Sequence, residues 1–176
     1  MELPPVLILA ALTTVVLLVI LLLLRGAGDL RSARARTRWA KRRLAKQLRS
    51  QGKAARAGEL FLEAEEPALA LETFLQGGLL ARAAPLLEAE GDWVFALEAY
   101  ESSGDHAAAA RVAERLGEFA VAATHYEASQ GWAAAARCWS EAGAHLRAGA
   151  AWVQAGEHLK SAQAYETGGH PIEAAK

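Results

Sequence analysis

Side chains that could act as nucleophiles, proton carriers or metal ligands are few in this sequence and do not cluster. Cys138 is the only cysteine, so a disulfide within the chain and a cysteine-rich zinc site are excluded. Two histidines that bind zinc from one helix are spaced i, i+4. The five histidines lack that spacing and are His106, His125, His145, His158 and His170. The sequence therefore predicts no metal site.

Two further groups suggest chemistry but have structural interpretations. His125, Tyr126 and Glu127 are consecutive, and consecutive residues of a helix point in different directions. Glu63, Glu65 and Glu66 lie near a predicted turn, where carboxylates are normally solvated. No GxGxxG fingerprint, phosphate-binding loop or nucleophile elbow occurs. Because catalysis needs titratable groups that converge in a pocket, we predict a protein that is not an enzyme and needs no cofactor.

Glycine recurs on a grid of thirteen residues, and this period predicts how the chain is built. The grid glycines are Gly52, Gly78, Gly91, Gly104, Gly117, Gly143, Gly156 and Gly169. Only Glu65 and Gln130 occupy grid points without glycine. If the grid residue is position 1, position 6 is alanine in nearly every unit and position 10 is usually aromatic. With the apolar residues at position 3, these positions form one face of an α-helix.

Each unit is therefore predicted to be one short helix followed by a tight turn. Glycine at position 1 suits the left-handed residue that ends a helix. Four acidic residues directly follow a grid glycine and are predicted to cap the next helix; they are Asp92, Asp105, Glu118 and Glu157. Helices this short are unstable alone and must stack on their neighbours. We predict an all-α fold in which residues 52–176 form an α-solenoid of antiparallel helices, with 13 residues per helix and 26 per hairpin.

The core pattern of these units resembles a known repeat. Alanine, then an aromatic residue, then a small residue recur in Ala96–Tyr100–Ser103, Ala122–Tyr126–Ser129 and Ala135–Trp139–Ala142. This pattern resembles the second helix of a tetratricopeptide repeat (TPR), although that repeat is about 34 residues long. The Trp-x-x-Leu-Gly-x-x-Tyr signature of the family's first helix is missing. The resemblance covers about residues 52–176 and implies a TPR-like α-solenoid that binds other proteins and performs no chemistry.

The amino-terminal region predicts a membrane anchor. Residues 6–24 carry no charge, and at 1.5 Å per residue they would reach roughly 28 Å, close to the bilayer core. A signal peptide is the alternative, but the basic region that normally precedes the apolar run is absent. We predict an external tail at 1–5, a transmembrane helix at 6–24 and a basic juxtamembrane helix at 25–51. The excess of nine positive charges in residues 25–49 predicts a cytoplasmic carboxyl side, and the composition favours a bacterial inner membrane.

The basic segment is also a candidate lipid contact, and its charge contrasts with the net charge of −9 in residues 50–176. Arginine and lysine beside a membrane can bind anionic head groups, and a tryptophan can lie in the interface. The candidate residues are Arg34, Arg38, Trp39, Lys41, Arg42 and Arg43. The alternative is that these bases only determine topology. We do not expect nucleic-acid binding.

Two features suggest where a protein partner binds. Position 5 should face water, yet alternate units carry Leu69, Phe95 and Val121 there. Because alternate helices of a solenoid share a face, these residues are predicted to form an apolar row that contacts a partner. The alternative is that the row belongs to the core. The array also ends without the usual polar cap, so we expect either that the chain is part of a longer protein or that its last helix contacts a partner or a second copy of the chain.

These observations predict an interaction protein. The main hypothesis is a membrane-anchored scaffold or adaptor that recruits or organises proteins at the cytoplasmic face of a membrane. The alternative is a constitutive structural subunit of a larger membrane complex, whose transmembrane helix packs against other subunits.

Overall fold

A computed structural model describes residues 32–170 and also Val16, Leu17 and Val19. All regular elements in this part of the chain are α-helices. Helix α1 is described over residues 32–50. The helices that follow are α2 (Ala54–Glu63), α3 (Pro67–Gln76), α4 (Leu80–Glu90), α5 (Trp93–Ser103), α6 (His106–Leu116), α7 (Phe119–Ala128), α8 (Trp132–Glu141), α9 (His145–Gln154) and α10 (His158–Thr167).

The helices belong to two compact units, which divide after Glu66. The first unit contains α1 and α2. In the second unit, α3 to α10 each pack against the next helix in the chain. The predicted all-α repeat array is confirmed, and the second unit has the arrangement of an α-solenoid.

The thirteen-residue period appears directly in the helix boundaries. Helices α2 to α10 begin at positions 54, 67, 80, 93, 106, 119, 132, 145 and 158. The turns before them contain the grid residues, and all eight grid glycines have φ between 67° and 84°. Glu65 and Gln130 adopt the same left-handed backbone, with φ of 59° and 60°. The local geometry of the turn is therefore kept even where glycine is absent.

The strain at Gln130 leads to a stability prediction. A left-handed residue that carries a Cβ atom costs about 1–2 kcal/mol, whereas glycine adds about 0.4–1 kcal/mol of unfolded-state entropy. We expect Gln130→Gly to raise the free energy of unfolding by about 0.5–1 kcal/mol, measured by chemical denaturation. The reciprocal control is Gly143→Gln at the next grid point, where an added Cβ meets no atom within 4 Å. That variant should be less stable, and equal effects of the two changes would contradict the argument.

The capping prediction is wrong for three of its four residues. Asp105 accepts a hydrogen bond from the backbone N–H of Ala108 at 3.0 Å and so caps α6. Asp92, Glu118 and Glu157 occupy the N-cap positions of α5, α7 and α10 without a side-chain capping bond. An N-cap carboxylate must turn back toward the helix to accept from its N–H groups. The Asp92 side chain instead lines a groove described below.

The core is built from positions 6 and 10 of each unit, as predicted. Alanine at position 6 is fully buried in eight units, at Ala57, Ala70, Ala83, Ala96, Ala109, Ala122, Ala135 and Ala148. Position 10 supplies the large buried side chains, among them Phe61, Phe74 and Trp139. A methyl group lets two helices approach closely, while the large side chain fills the neighbouring space. This alternation of small and large residues is the physical basis of the repeat.

The close approach at position 6 makes Ala122 sensitive to larger residues. Ala122 has no exposed surface, so Ala122→Leu must displace neighbouring helices. We expect this change to lower the free energy of unfolding by about 1–3 kcal/mol, visible as a lower melting temperature. Ala120→Leu on the exposed side of the same helix is the matched control and should change stability little. If the two variants have the same melting temperature, close packing at position 6 does not limit the stability of the array.

Contacts in the second unit show that neighbouring helices run in opposite directions. Arg115, near the end of α6, lies over the ring of Trp93 at the start of α5, 4.0 Å from its centroid. His106 at the start of α6 meets His125 near the end of α7, with 3.2 Å between their Nδ1 atoms. The antiparallel hairpin is thus observed for both neighbours of α6.

The prediction of a transmembrane helix is wrong for the part of the chain that the structure describes. Helices α2 to α10 have ten or eleven residues and span about 15 Å, half of a bilayer core. Helix α1 is longer but is rich in arginine and lysine. No described helix is therefore both long and apolar enough to cross a membrane. Apart from Val16, Leu17 and Val19, the predicted span 6–24 lies outside the described residues, as does the tail 1–5.

The predictions that depended on this span are corrected with it. A single-pass topology, a cytoplasmic carboxyl side and a bacterial inner membrane have no support from the described helices. The fold class becomes an all-α repeat array. The segment predicted at 25–51 as a basic helix is helical over its described residues 32–50.

Candidate partner-binding site

An open apolar groove lies between α3, α4 and α5. Its volume is about 450 Å³, and leucines from two helices and a phenylalanine from the third line it: Leu71, Leu75, Leu80, Leu87 and Phe95. Leu71 and Leu87 also belong to the core, with 8% and 6% of their surface exposed. Phe95 and Leu75 are 59% and 44% exposed. In the groove, core leucines therefore lie beside large apolar side chains that are exposed to solvent.

Carboxylates line the same groove. Glu90, at the end of α4, and Asp92 and Glu98, at the start and middle of α5, complete it together with Ala99 and Ser102. None of the three carboxylates makes a hydrogen bond or ion pair with another described residue. The site combines an apolar floor with three acidic groups whose charge is not neutralised by the described part of the chain.

The structure separates the residues of the predicted apolar row. Phe95 lies in the groove, whereas Leu69 on α3 and Val121 on α7 are half-buried and do not line it. The leucines that join Phe95 come from α3 and α4 and were not predicted from the sequence. One signal could have found Leu75. It occupies position 11, where the next four units carry Glu88, Glu101, Glu114 and Glu127.

These position 11 glutamates take part in a repeated bond between successive helices. The Tyr100 hydroxyl donates to Glu88 at 3.0 Å, and the Tyr126 hydroxyl donates to Glu114 at 2.7 Å. The Trp139 indole N–H donates to Glu127 at 2.7 Å. In each case position 10 of one unit bonds position 11 of the unit before it, twelve residues earlier. We call this series the aromatic–glutamate ladder. From the sequence, only the position 10 residues had been assigned, to the buried face of each helix.

The two tyrosines of the ladder have raised pKa values. Burial, followed by the hydrogen bond to Glu88, raises the pKa of Tyr100 to about 12. Burial and the bond to Glu114 likewise raise the pKa of Tyr126 to about 12. Both phenols are thus held protonated as donors, which is a structural role.

The ladder is interrupted at α6, where position 10 is Ala113. Glu101, which would have bonded an aromatic residue there, instead contacts His125 Nε2 at 2.8 Å. His125 Nδ1 lies 3.2 Å from His106 Nδ1, so one proton must be shared between these two nitrogens. His125, Tyr126 and Glu127 therefore reach three different partners, as expected for consecutive helical residues. They do not converge on a substrate site.

Cys138 is unsuited to nucleophilic chemistry. Its side chain is 1% exposed, and burial raises the pKa of its thiol. A reactive cysteine needs a lowered pKa and access to solvent. A second depression, of about 360 Å³, adjoins Cys138 together with Glu114, Arg137 and Trp152. Within the described residues, no group of three or more His, Cys, Asp or Glu side chains is arranged to hold a metal ion.

Three of the predicted lipid-contact bases have partners inside the first unit. Arg38, Lys41 and Arg42 share one face of α1 and pair with Glu65, Glu63 and Glu66 at 3.1, 3.1 and 3.2 Å. Arg38 Nε also donates to the Ala64 carbonyl at 3.0 Å. The glutamates that the sequence analysis treated as solvated thus hold α1 against the turn after α2. Exposed pairs are individually weak, at about 0.2–1 kcal/mol, so the arrangement matters mainly for orientation.

The other predicted lipid-contact residues remain at the surface. Trp39 is 63% exposed, and the Arg43 guanidinium lies 5.6 Å from its ring centroid. Arg34 is exposed. Contact of these residues with lipid head groups stays a prediction.

Comparison of the chain with protein-family models, with curated proteins and with solved structures finds no match.

Proposed function

We propose that this chain is a protein-interaction scaffold, in which a TPR-like array of short helices recruits or organises a partner protein. The observation that carries the proposal is the groove between α3, α4 and α5, where Phe95 and Leu75 are exposed beside carboxylates that have no partner among the described residues. Large apolar side chains grouped on a surface are typical of binding sites. A buried aromatic anchor also commonly supplies much of the energy of an interface.

The polar side chains of the second unit support a binding role over a chemical one. The ladder uses tyrosine, tryptophan and glutamate to join successive helices. The histidine pair joins α6 to α7. The tyrosines, the tryptophan, the glutamates and the two histidines named here thus bond neighbouring helices to each other. A rigid array of this kind presents its surface to other proteins, as repeat proteins commonly do.

The resemblance to the TPR family is part of the proposal. It rests on alanine at position 6, whose burial is complete, and on the large residue at position 10. The unit of 26 residues per hairpin is shorter than the TPR unit of about 34. We therefore propose a compact relative of that architecture rather than a standard TPR protein.

Site-specific photo-crosslinking tests this function. A photoreactive amino acid is placed in the full chain at Val94, which precedes the groove residue Phe95 in sequence, and in separate variants at Leu146 and Leu159, all of which are exposed. The variants are crosslinked in the cells that express the protein, and the adducts are identified by mass spectrometry. We expect one protein to be captured reproducibly from at least one position. If no position captures a protein although the variants are folded, the scaffold function is wrong.

A further inference from the structure

We propose that the groove between α3, α4 and α5 binds an amphipathic helix of another protein, whose apolar stripe is flanked by lysine or arginine. This inference rests on the proposed function and names the chemistry of its partner. The juxtaposition that carries it is an exposed apolar floor beside Glu90, Asp92 and Glu98.

The shape and lining of the groove favour a helix as the ligand. Its volume of about 450 Å³ is within the range of binding pockets, about 300–1,000 Å³. The floor extends across three helices, from Leu75 on α3 through Leu80 on α4 to Phe95 on α5. An amphipathic helix places apolar anchors at i, i+3, i+4 and i+7 along one face, so several anchors can contact the apolar side chains that the three helices supply.

The charges indicate the polar part of the ligand. Glu88, Glu114 and Glu127 accept bonds from the ladder, but Glu90, Asp92 and Glu98 have no partner among the described residues. Residues 67–170 contain six bases and thirteen acids, so the groove lies in a field of net negative charge. Complementary charge increases both specificity and association rate. Basic residues beside the apolar stripe would neutralise the three carboxylates.

The same charges disfavour a second copy of the solenoid as the occupant, because two acidic surfaces repel each other. The basic helix α1 could in principle supply the complementary charge. However, its Arg38, Lys41 and Arg42 already pair with glutamates of their own unit. With these three bases engaged, we assign the groove to a helix from a different protein, and a dimer that depends on Phe95 would contradict this assignment.

Fluorescence anisotropy with two matched probes tests the inference on the full chain. The first is an eighteen-residue helical peptide with leucine at i, i+3, i+4 and i+7 and with lysine beside the leucines. The second has the same leucines and has glutamate in place of each lysine. We expect the basic peptide to bind at least about tenfold more tightly than the acidic one, and its affinity to fall with added salt. Equal affinity for the two peptides would overturn the proposal.

Variants locate the binding in the groove. Phe95→Asp should weaken binding of the basic peptide by at least about tenfold. The protein should stay folded, because the Phe95 side chain is 59% exposed. The double variant Glu90→Lys, Glu98→Lys should reverse the preference toward the acidic peptide. Leu159→Asp is the matched control, because Leu159 is exposed on α10 outside the groove. It should bind like the parent chain. Binding that tolerates Phe95→Asp, or that is lost equally in Leu159→Asp, would overturn the assignment.

These outcomes are distinct from failure of the scaffold function. If a partner crosslinks only at Leu146 or Leu159 and its capture does not change in Phe95→Asp, the groove assignment is wrong but the scaffold function stands. If size-exclusion chromatography shows a dimer of the full chain that Phe95→Asp converts to a monomer, a second copy occupies the groove and the proposed partner class is wrong.

Discussion

Replacement of Trp139 by alanine is expected to lower the free energy of unfolding by about 3–5 kcal/mol, the usual cost of truncating a buried large aromatic residue. Only 3% of the Trp139 surface is exposed. Its indole N–H donates to Glu127 at 2.7 Å, and the Arg147 guanidinium lies 4.7 Å from its ring centroid. The change therefore removes a ring from the core and one bond of the ladder. It also leaves the part-buried Glu127 carboxylate without its donor.

The Trp139 prediction can be checked by chemical denaturation followed by circular dichroism. Trp139→Phe keeps a ring but lacks the N–H, so its free energy of unfolding should lie between that of the parent and that of the alanine variant. Trp39→Ala is the control for a tryptophan that is 63% exposed, and it should change stability by less than about 0.5 kcal/mol. A loss below about 1 kcal/mol for Trp139→Ala would mean that the α7–α9 core collapses around the gap.

Alkaline pH is expected to destabilise the solenoid through its two ladder tyrosines. An unfolded tyrosine has a pKa of about 10, whereas the pKa values of Tyr100 and Tyr126 are raised to about 12. Between these values the unfolded chain releases phenol protons that the folded chain retains. The stability that the two raised pKa values give to the folded chain is thus complete below pH ~10 and is lost as the pH rises through ~12. Each tyrosine should account for about 2–3 kcal/mol, since one pKa unit corresponds to about 1.4 kcal/mol.

Denaturation midpoints measured from pH 8 to pH 12 check the sign and the residues responsible. The matched control is the double variant Tyr100→Phe, Tyr126→Phe, which keeps both rings but has no phenol to titrate. It should be less stable than the parent at pH 8 because the two hydrogen bonds are gone, and its stability should fall less steeply above pH 10. If the parent and the double variant show the same slope, the ladder phenols do not control alkaline stability.

The helical array could be predicted from the sequence because its determinants are local. A left-handed residue ends each helix, so the grid glycines place the turns, and helices α2 to α10 begin at the thirteen-residue interval. Burial also follows the pattern, since alanine at position 6 is completely buried in eight units. The same local logic failed for Asp92, because a residue type suited to capping still needs its side chain to face the helix.

Pairings between helices could not be read from the period. The ladder requires position 10 of one helix to reach position 11 of the one before it, which depends on crossing angle and on side-chain rotamers. The pairing of Arg38 with Glu65 joins residues separated by 27 positions, on opposite sides of helix α2 in the sequence. A charge excess alone suggested instead that this base contacts lipid.

The sequence by itself determined the helices, their turns and the face that each one buries, because these depend on interactions within about four residues. Only the tertiary structure decided which exposed residues form a site. Phe95, Leu69 and Val121 occupy equivalent positions, yet only Phe95 lines the groove. The physical reason is that a side chain lines a groove only where the adjoining helices leave it uncovered, as α3 and α4 do beside Phe95. The exposure of position 5 therefore depends on the residues of adjoining helices, and not on its own place in the repeat.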